Sequence, residues 1–127
     1  MARRLVSTGS PFERQAGYSR AVAQGPWCFV SGTTGYDYET MEMPDDAGEQ
    51  ARNALATIDM ALQEAGFSMA DVVRGRYVVT DRAHVEPVMA ALGAVFGDIR
   101  PAATMVVADL IDPAMKVEID VTAYRVT

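Results

Sequence analysis

The stretch Lys116-Val117-Glu118-Ile119-Asp120-Val121-Thr122-Ala123-Tyr124-Arg125-Val126 alternates polar and apolar residues almost without a break. Successive side chains of a strand point to opposite faces. Val117, Ile119, Val121 and Ala123 therefore share one face, and Lys116, Glu118, Asp120, Thr122 and Tyr124 the other. One face is built for a core; the other carries two carboxylates. The segment before it, Thr104–Leu110, reads as a second strand, followed by an Asp112-Pro113 turn. Here Met105 and Val107 on one face, and Val106 and Ala108 beside Thr104 on the other, are apolar. A strand apolar on both faces needs cover on both. Helices on one side of a sheet supply only half of that cover, so the pattern predicts an oligomer that buries the second face.

Working outward, Val72–Thr80 is rich in Val and Tyr and reads as a strand, after a short helical turn at Ser68–Asp71. A helix is predicted over 46–65. Asp46 and Glu49 sit at its positive end, Ala51, Leu55, Ile58, Ala61, Leu62 and Ala65 form one face, and Gln50, Arg52, Asn53, Asp59, Gln63 and Glu64 point outward. Gly66 follows, where a left-handed cap is expected. A second helix is predicted near 83–96, with Val85, Val88, Met89, Leu92, Val95 and Phe96 at helical spacing and Pro87 in its first turn. At the N-terminal end, Leu5–Val6 opens a short strand that stops at the turn formers Thr8-Gly9-Ser10-Pro11. Tyr18–Ala23 and Trp27–Ser31 form a hairpin around Gln24-Gly25-Pro26. The order β-β-β-α-β-α-β-β predicts an α+β two-layer sandwich: about six strands in a mixed sheet, with two helices on one face.

The 127 residues, half of them apolar, suit one domain over 1–127 and exclude intrinsic disorder. Eleven basic against 17 acidic residues give a net charge of −6, which disfavours nucleic acid as a partner. The single cysteine, Cys28, excludes an intrachain disulfide and a cysteine-based zinc cage. No metal or phosphate-loop motif is present, and no apolar run reaches membrane-spanning length. The basic start lacks the apolar stretch of a secretory signal, so the expected location is cytoplasmic.

Tyr18 after Gly17, the strand end Val30-Ser31-Gly32, and the pair Pro101-Ala102-x-Thr104 … Val117-Glu118-Ile119 resemble the RidA (YjgF, endoribonuclease L-PSP) family, with order and spacing matching over about residues 5–126. The resemblance implies a chorismate-mutase-like fold and a homotrimer with a small-molecule ligand in each inter-subunit cleft. It implies hydrolysis of reactive enamines and imines to ketoacids and ammonia, with no metal or organic cofactor. It also implies that Glu118 orients or deprotonates water and that Tyr18 hydrogen-bonds ligand or water, both as catalytic groups. Ser31, Gly32, Met89, Ala103, Thr104 and Met105 match ligand-contacting positions.

The sequence departs from the deaminase pattern at Ala103, where an arginine clamps the substrate carboxylate in that group. Breaking such a buried charge pair costs about 2–5 kcal/mol, or roughly 30- to 3,000-fold in rate. Met89 and Met105 replace an asparagine and a cysteine, so the implied pocket is less polar and its ligand neutral or more apolar. A trimer that binds a metabolite without turnover is the alternative.

Each candidate has a plainer reading. Glu118 can be an outward carboxylate paired with Lys116 or Arg125. Tyr18 can sit on a sheet edge, and Ser31 can simply end a strand. Tyr36, with Tyr38 on the loop after Gly32, can floor a ligand pocket or pack over a hairpin edge. Arg100 can replace the missing clamp, but it lies three positions from Ala103, an odd offset that places the two on opposite faces of an extended chain. Arg74 and Arg76 read as solvated or paired. His84 has no partner for a triad, and Cys28 reads as a small core residue.

Overall fold

The computed structural model describes residues 2–126. Strands β1 (Arg3–Val6), β2 (Ala21–Gln24), β3 (Trp27–Thr33), β4 (Val72–Val79), β5 (Ala102–Val107) and β6 (Val117–Tyr124) make one sheet, ordered β1-β2-β3-β6-β4-β5. The helices are α1 (Pro11–Ala16), α2 (Ala47–Glu64) and α3 (Val85–Phe96). β4 and β5 run parallel and the other neighbours antiparallel, so the sheet is mixed. A parallel pair needs a crossover, and α3 supplies it.

The alternation of β6 holds. Val117, Ile119, Val121 and Ala123 are buried under α2 and α3, in one core with Leu55, Ile58, Leu62, Val88, Leu92 and Phe96. The capping of α2 also holds: the Asp46 carboxylate accepts the Glu49 N–H at 2.9 Å, and Gly66 has φ 88°. The Ser68–Asp71 turn is a short helical turn closed by those two side chains.

Four expectations need correction. A third helix, α1, occupies the segment read as a turn. Ser10 Oγ accepts the Phe12 N–H, Pro11 opens the first turn, and Gly17 closes the helix at φ 72°. Tyr18 thus lies between α1 and β2, not on a strand. Gln50, expected outward, is fully buried. Its amide donates to the carbonyls of Pro44 (2.8 Å) and Ala114 (3.0 Å), and its oxygen accepts the Lys116 N–H (2.9 Å). Met89 is 55 % exposed, because it lies about 100° around α3 from the buried Val88; Ala91 takes the core position instead. Finally, β5 covers Ala102–Val107 and is a sheet edge, exposed over most of its length in the single chain.

The register assigns the second face. Trp27, Phe29 and Tyr124 cluster there, with Trp27 ring centroids 6.1 Å from Phe29 and 4.7 Å from Tyr124. All three are exposed, as is Leu5, which pairs with Val22 opposite Phe29. This apolar, aromatic face is the one that the sequence pattern assigns to an oligomer.

Candidate functional site

Glu118 is the second residue of β6 and faces away from the core. Its cross-strand neighbour on β4 is Val78. On the β3 side the chain is irregular between Val30 and Thr33, which brings the Gly32 backbone against the carboxylate. A Cβ at Gly32 would stand 2.7 Å from Glu118 Cδ and Oε1, so only glycine leaves this space open. The two expected partners of Glu118 are occupied elsewhere. Lys116 Nζ binds Asp45, and Arg125 donates to the Gly66 carbonyl. Asp120 is held by Arg76 at 3.5 Å. Among the described residues the Glu118 carboxylate has no ion pair, and its oxygens remain open to solvent.

Burial holds the Glu118 carboxyl above its ordinary value, and Asp120 pushes it further in that direction; Arg76 and Arg20 pull it down. A half-buried, unpaired carboxylate with a raised pKa is suited to taking a proton from water or returning one.

Glu118 lines a hollow of about 380 Å³ with Tyr18, Gly32, Thr34, Tyr38 and Met115. Phe12, Gln15 and Ala16 of α1 and the exposed Ile111 complete it. The walls are mainly apolar. Glu118, Tyr18 and Gly32 therefore meet, as the sequence reading expects. Tyr36 does not line the hollow. Its ring packs between Phe12 and Tyr38, 5.9 Å from each, and it is Tyr38 that faces inward. The Ser31 hydroxyl donates to the Ser19 carbonyl at 2.6 Å and is used in holding the turn before β2.

The remaining predicted contacts lie elsewhere in the chain. Ala103 and Met105 pair with Gly75 and Tyr77 and share the helix side of the sheet, while Thr104 pairs with Arg76 on the other side. Met105 packs against the core. Met89 is exposed on α3. The sheet itself stands between Glu118 and Ala103, so one chain alone does not bring them to one ligand. Ala103 instead borders a shallow depression with Tyr77, Phe96 and Arg100. Strand parity misplaces Arg100, because it precedes β5 in a left-handed turn (φ 60°) whose N–H bonds the Phe96 carbonyl.

Sequence reading passed over two groups here, α1 and Arg20, and named Tyr38 beside Tyr36 without separating the inward ring from the other. Arg20 is 1 % exposed, and its guanidinium donates to the Gly32 carbonyl at 2.8 Å and to Thr33 Oγ1 at 3.1 Å. A charge at the entrance to a strand ordinarily reads as solvated, so no local signal marks it. Arg76 has the paired fate expected of it. Burial pushes the Cys28 thiol up to about 11, which fits an inert core residue. Among the described residues no three His, Cys, Asp or Glu side chains converge as a metal-ligand set, and no helix is long and apolar enough to cross a membrane.

Fold and hollow together define a class: a small α+β protein with a carboxylate beside a glycine backbone at the end of a mixed sheet. The endoribonuclease L-PSP family model matches residues 8–125, and the chain belongs to that family, also called RidA and YjgF. An uncharacterised protein of Streptomyces coelicolor is 35 % identical over 123 residues, which are 96 % of this chain and 92 % of that protein. A solved structure from Mycobacterium tuberculosis, described as a member of the highly conserved YjgF/YER057c/UK114 family, is 45 % identical. It superposes with a TM-score of 0.89 over 97 % of this chain and 99 % of its own. RidA from a Psychrobacter species is 28 % identical, with a TM-score of 0.84 over 94 % and 97 % of the two chains.

Proposed function

We propose that this chain is a cytoplasmic Rid-type hydrolase that converts small reactive imines or enamines to a carbonyl compound and ammonia. The observation that carries the reading is the Glu118 carboxylate, unpaired and half-buried against Gly32 in an otherwise apolar hollow. In the reaction Glu118 takes a proton from water as the oxygen attacks the imine carbon. It returns that proton to nitrogen to give the carbinolamine, then carries the carbinolamine hydroxyl proton to the same nitrogen, so that the C–N bond breaks, ammonia departs and a carbonyl remains. Water supplies the oxygen, and no electron carrier is needed. Tyr18 holds the ligand or the attacking water from the rim.

The hollow belongs to a homotrimer in this reading. The β5–α3 edge of a second copy brings Ala103, Thr104, Met105 and Met89 to the side opposite Glu118. The exposed aromatic face and the exposed β5 support that assembly. The apolar lining and the alanine at position 103 favour a neutral ligand with an apolar side chain. The test is ammonia release from imines made in situ by an amino-acid oxidase, over acidic, neutral and aromatic amino acids. Acceleration above buffer, strongest for apolar side chains and lost in Glu118→Gln, is the expected result. Unchanged rates in Glu118→Gln would remove Glu118 from the mechanism.

The alternative is a trimer that binds a metabolite without turnover, favoured by the same Ala103. It predicts a ligand that raises the melting temperature while ammonia release stays at the buffer rate.

A further inference from the structure

Glu13 and Arg20 are the two buried charged residues among those described. Taking a guanidinium out of water is costly, and an apolar side chain of similar volume usually serves a core better. The partners of Arg20 show where it acts. One terminal nitrogen donates to the Gly32 carbonyl and Thr33 Oγ1. The other reaches Tyr18 Oη at 3.4 Å and lies 3.6 Å from Glu13 Oε2. The cation sits 4.7 Å from the centre of the Tyr38 ring and 5.6 Å from that of Tyr18. Its Nε is buried without a partner. Glu13 in turn accepts from the Ser7 hydroxyl, the Thr8 N–H and the Thr8 hydroxyl, anchoring the far end of the network.

Three of the groups Arg20 touches, Tyr18, Gly32 and Tyr38, line the hollow around Glu118. We propose that Arg20 is a positioning residue, which fixes the Tyr18 phenol, the Gly32 backbone and the Tyr38 ring around the Glu118 carboxylate. The inference deepens the hydrolase reading and rests on it for its kinetic arm. A rigid fork explains why arginine stands here: one guanidinium spans the Gly32 carbonyl and the Tyr18 phenol at once, and one ammonium cannot.

The charged and titratable groups around Glu118 are Asp120 on its own strand, Lys116 just before that strand, Arg76 on β4, Tyr18 and Arg20 before β2, and Tyr38 after β3. Lys116 is engaged by Asp45 and Arg76 by Asp120.

The test compares Arg20→Lys with the double variant Glu13→Gln, Arg20→Met, which strands no buried charge. Two readouts need no turnover: the carboxyl-carbon NMR titration of Glu118 and the Tyr18 Cζ resonance, both in the assembled protein. In the double variant the Glu118 midpoint moves to higher pH and the Tyr18 resonance shifts. In Arg20→Lys the charge remains, so the midpoint holds while the Tyr18 resonance shifts. Turnover falls on the order of 10²-fold in both, the usual loss for an ångström of misplacement. The acid limb of the rate profile moves up only in the double variant.

An unmoved Glu118 midpoint and an unmoved Tyr18 resonance in folded variants overturn the proposal. If the double variant does not fold, the Tyr18 resonance of Arg20→Lys decides alone, a shift supporting and constancy overturning. If the wild type shows no turnover, the hydrolase reading fails while the two resonances still judge Arg20.

Discussion

Replacing Gly32 by alanine separates chemistry from stability at a single carbon. The added methyl would stand 2.7 Å from Glu118 Cδ and Oε1 and 3.1 Å from Oε2, whereas ordinary contact begins near 3.4 Å. The obstacle is the far end of a flexible side chain, so the carboxylate swings aside by about 1 Å rather than breaking the sheet. Moving χ angles off their minima costs about 0.5–1.5 kcal/mol. Losing glycine from the unfolded chain returns about 0.4–1 kcal/mol, since Gly32 does not need a positive φ. The two nearly cancel, and the melting temperature stays within about 4 °C of wild type. The chemistry has no such compensation. A displacement of about 1 Å in a reacting group costs on the order of 10²-fold in rate. Purified Gly32→Ala is to be assayed for kcat/KM in imine hydrolysis and for its melting curve in the same buffer. A folded variant with wild-type kcat/KM would refute the reasoning, because the Glu118 position would then not matter to turnover.

Gly35→Ala should behave oppositely: its methyl would meet Gln50 Cα, rigid helix backbone, at 2.5 Å, and chemical denaturation should show a loss of about 1–3 kcal/mol. Glu118→Gln should stabilise the protein at neutral pH. The folded Glu118 carboxyl titrates above its ordinary 4.5, so its contribution is full below that value and is lost as pH rises through the folded pKa. Melting curves from pH 4 to 8 should show the variant's advantage growing with pH, and a constant difference would contradict this. The Cys28 thiol, buried and pushed up to about 11, should resist a thiol reagent at pH 8 in the native protein and react fully in denaturant.

Periodicity reads well where one face meets the core along a whole element. The β6 alternation and the Ala51-to-Ala65 stripe of α2 translate directly into buried sets, because burial repeats at every second or every third to fourth residue. It fails where few residues or distant partners decide. Helix α1 has six residues, too few for a period, and its Ser10-Pro11 start is equally a turn signal. Gln50 is buried because its partners lie 64 and 66 residues away in sequence, beyond any local pattern. Arg20 donates to a carbonyl and a hydroxyl of β3, so its role exists only once β2 and β3 are adjacent. Glu118, Tyr18 and Gly32 were legible through the family motif. Tyr38 was not distinguishable from Tyr36, two residues away on an irregular loop.

The uncharged edge strand β5 has a consequence for the life of the newly made chain. Its six residues, Ala-Ala-Thr-Met-Val-Val, combine high strand propensity with no charge, proline or glycine, the composition of self-stacking segments. Arg100 and Pro101 before it and Asp109 after it act as gatekeepers at the ends but not along the edge. A single chain with this edge uncovered therefore carries a template for the wrong pairing. In the proposed trimer, assembly competes with precipitation during synthesis, and slow synthesis in the cold should favour the soluble yield.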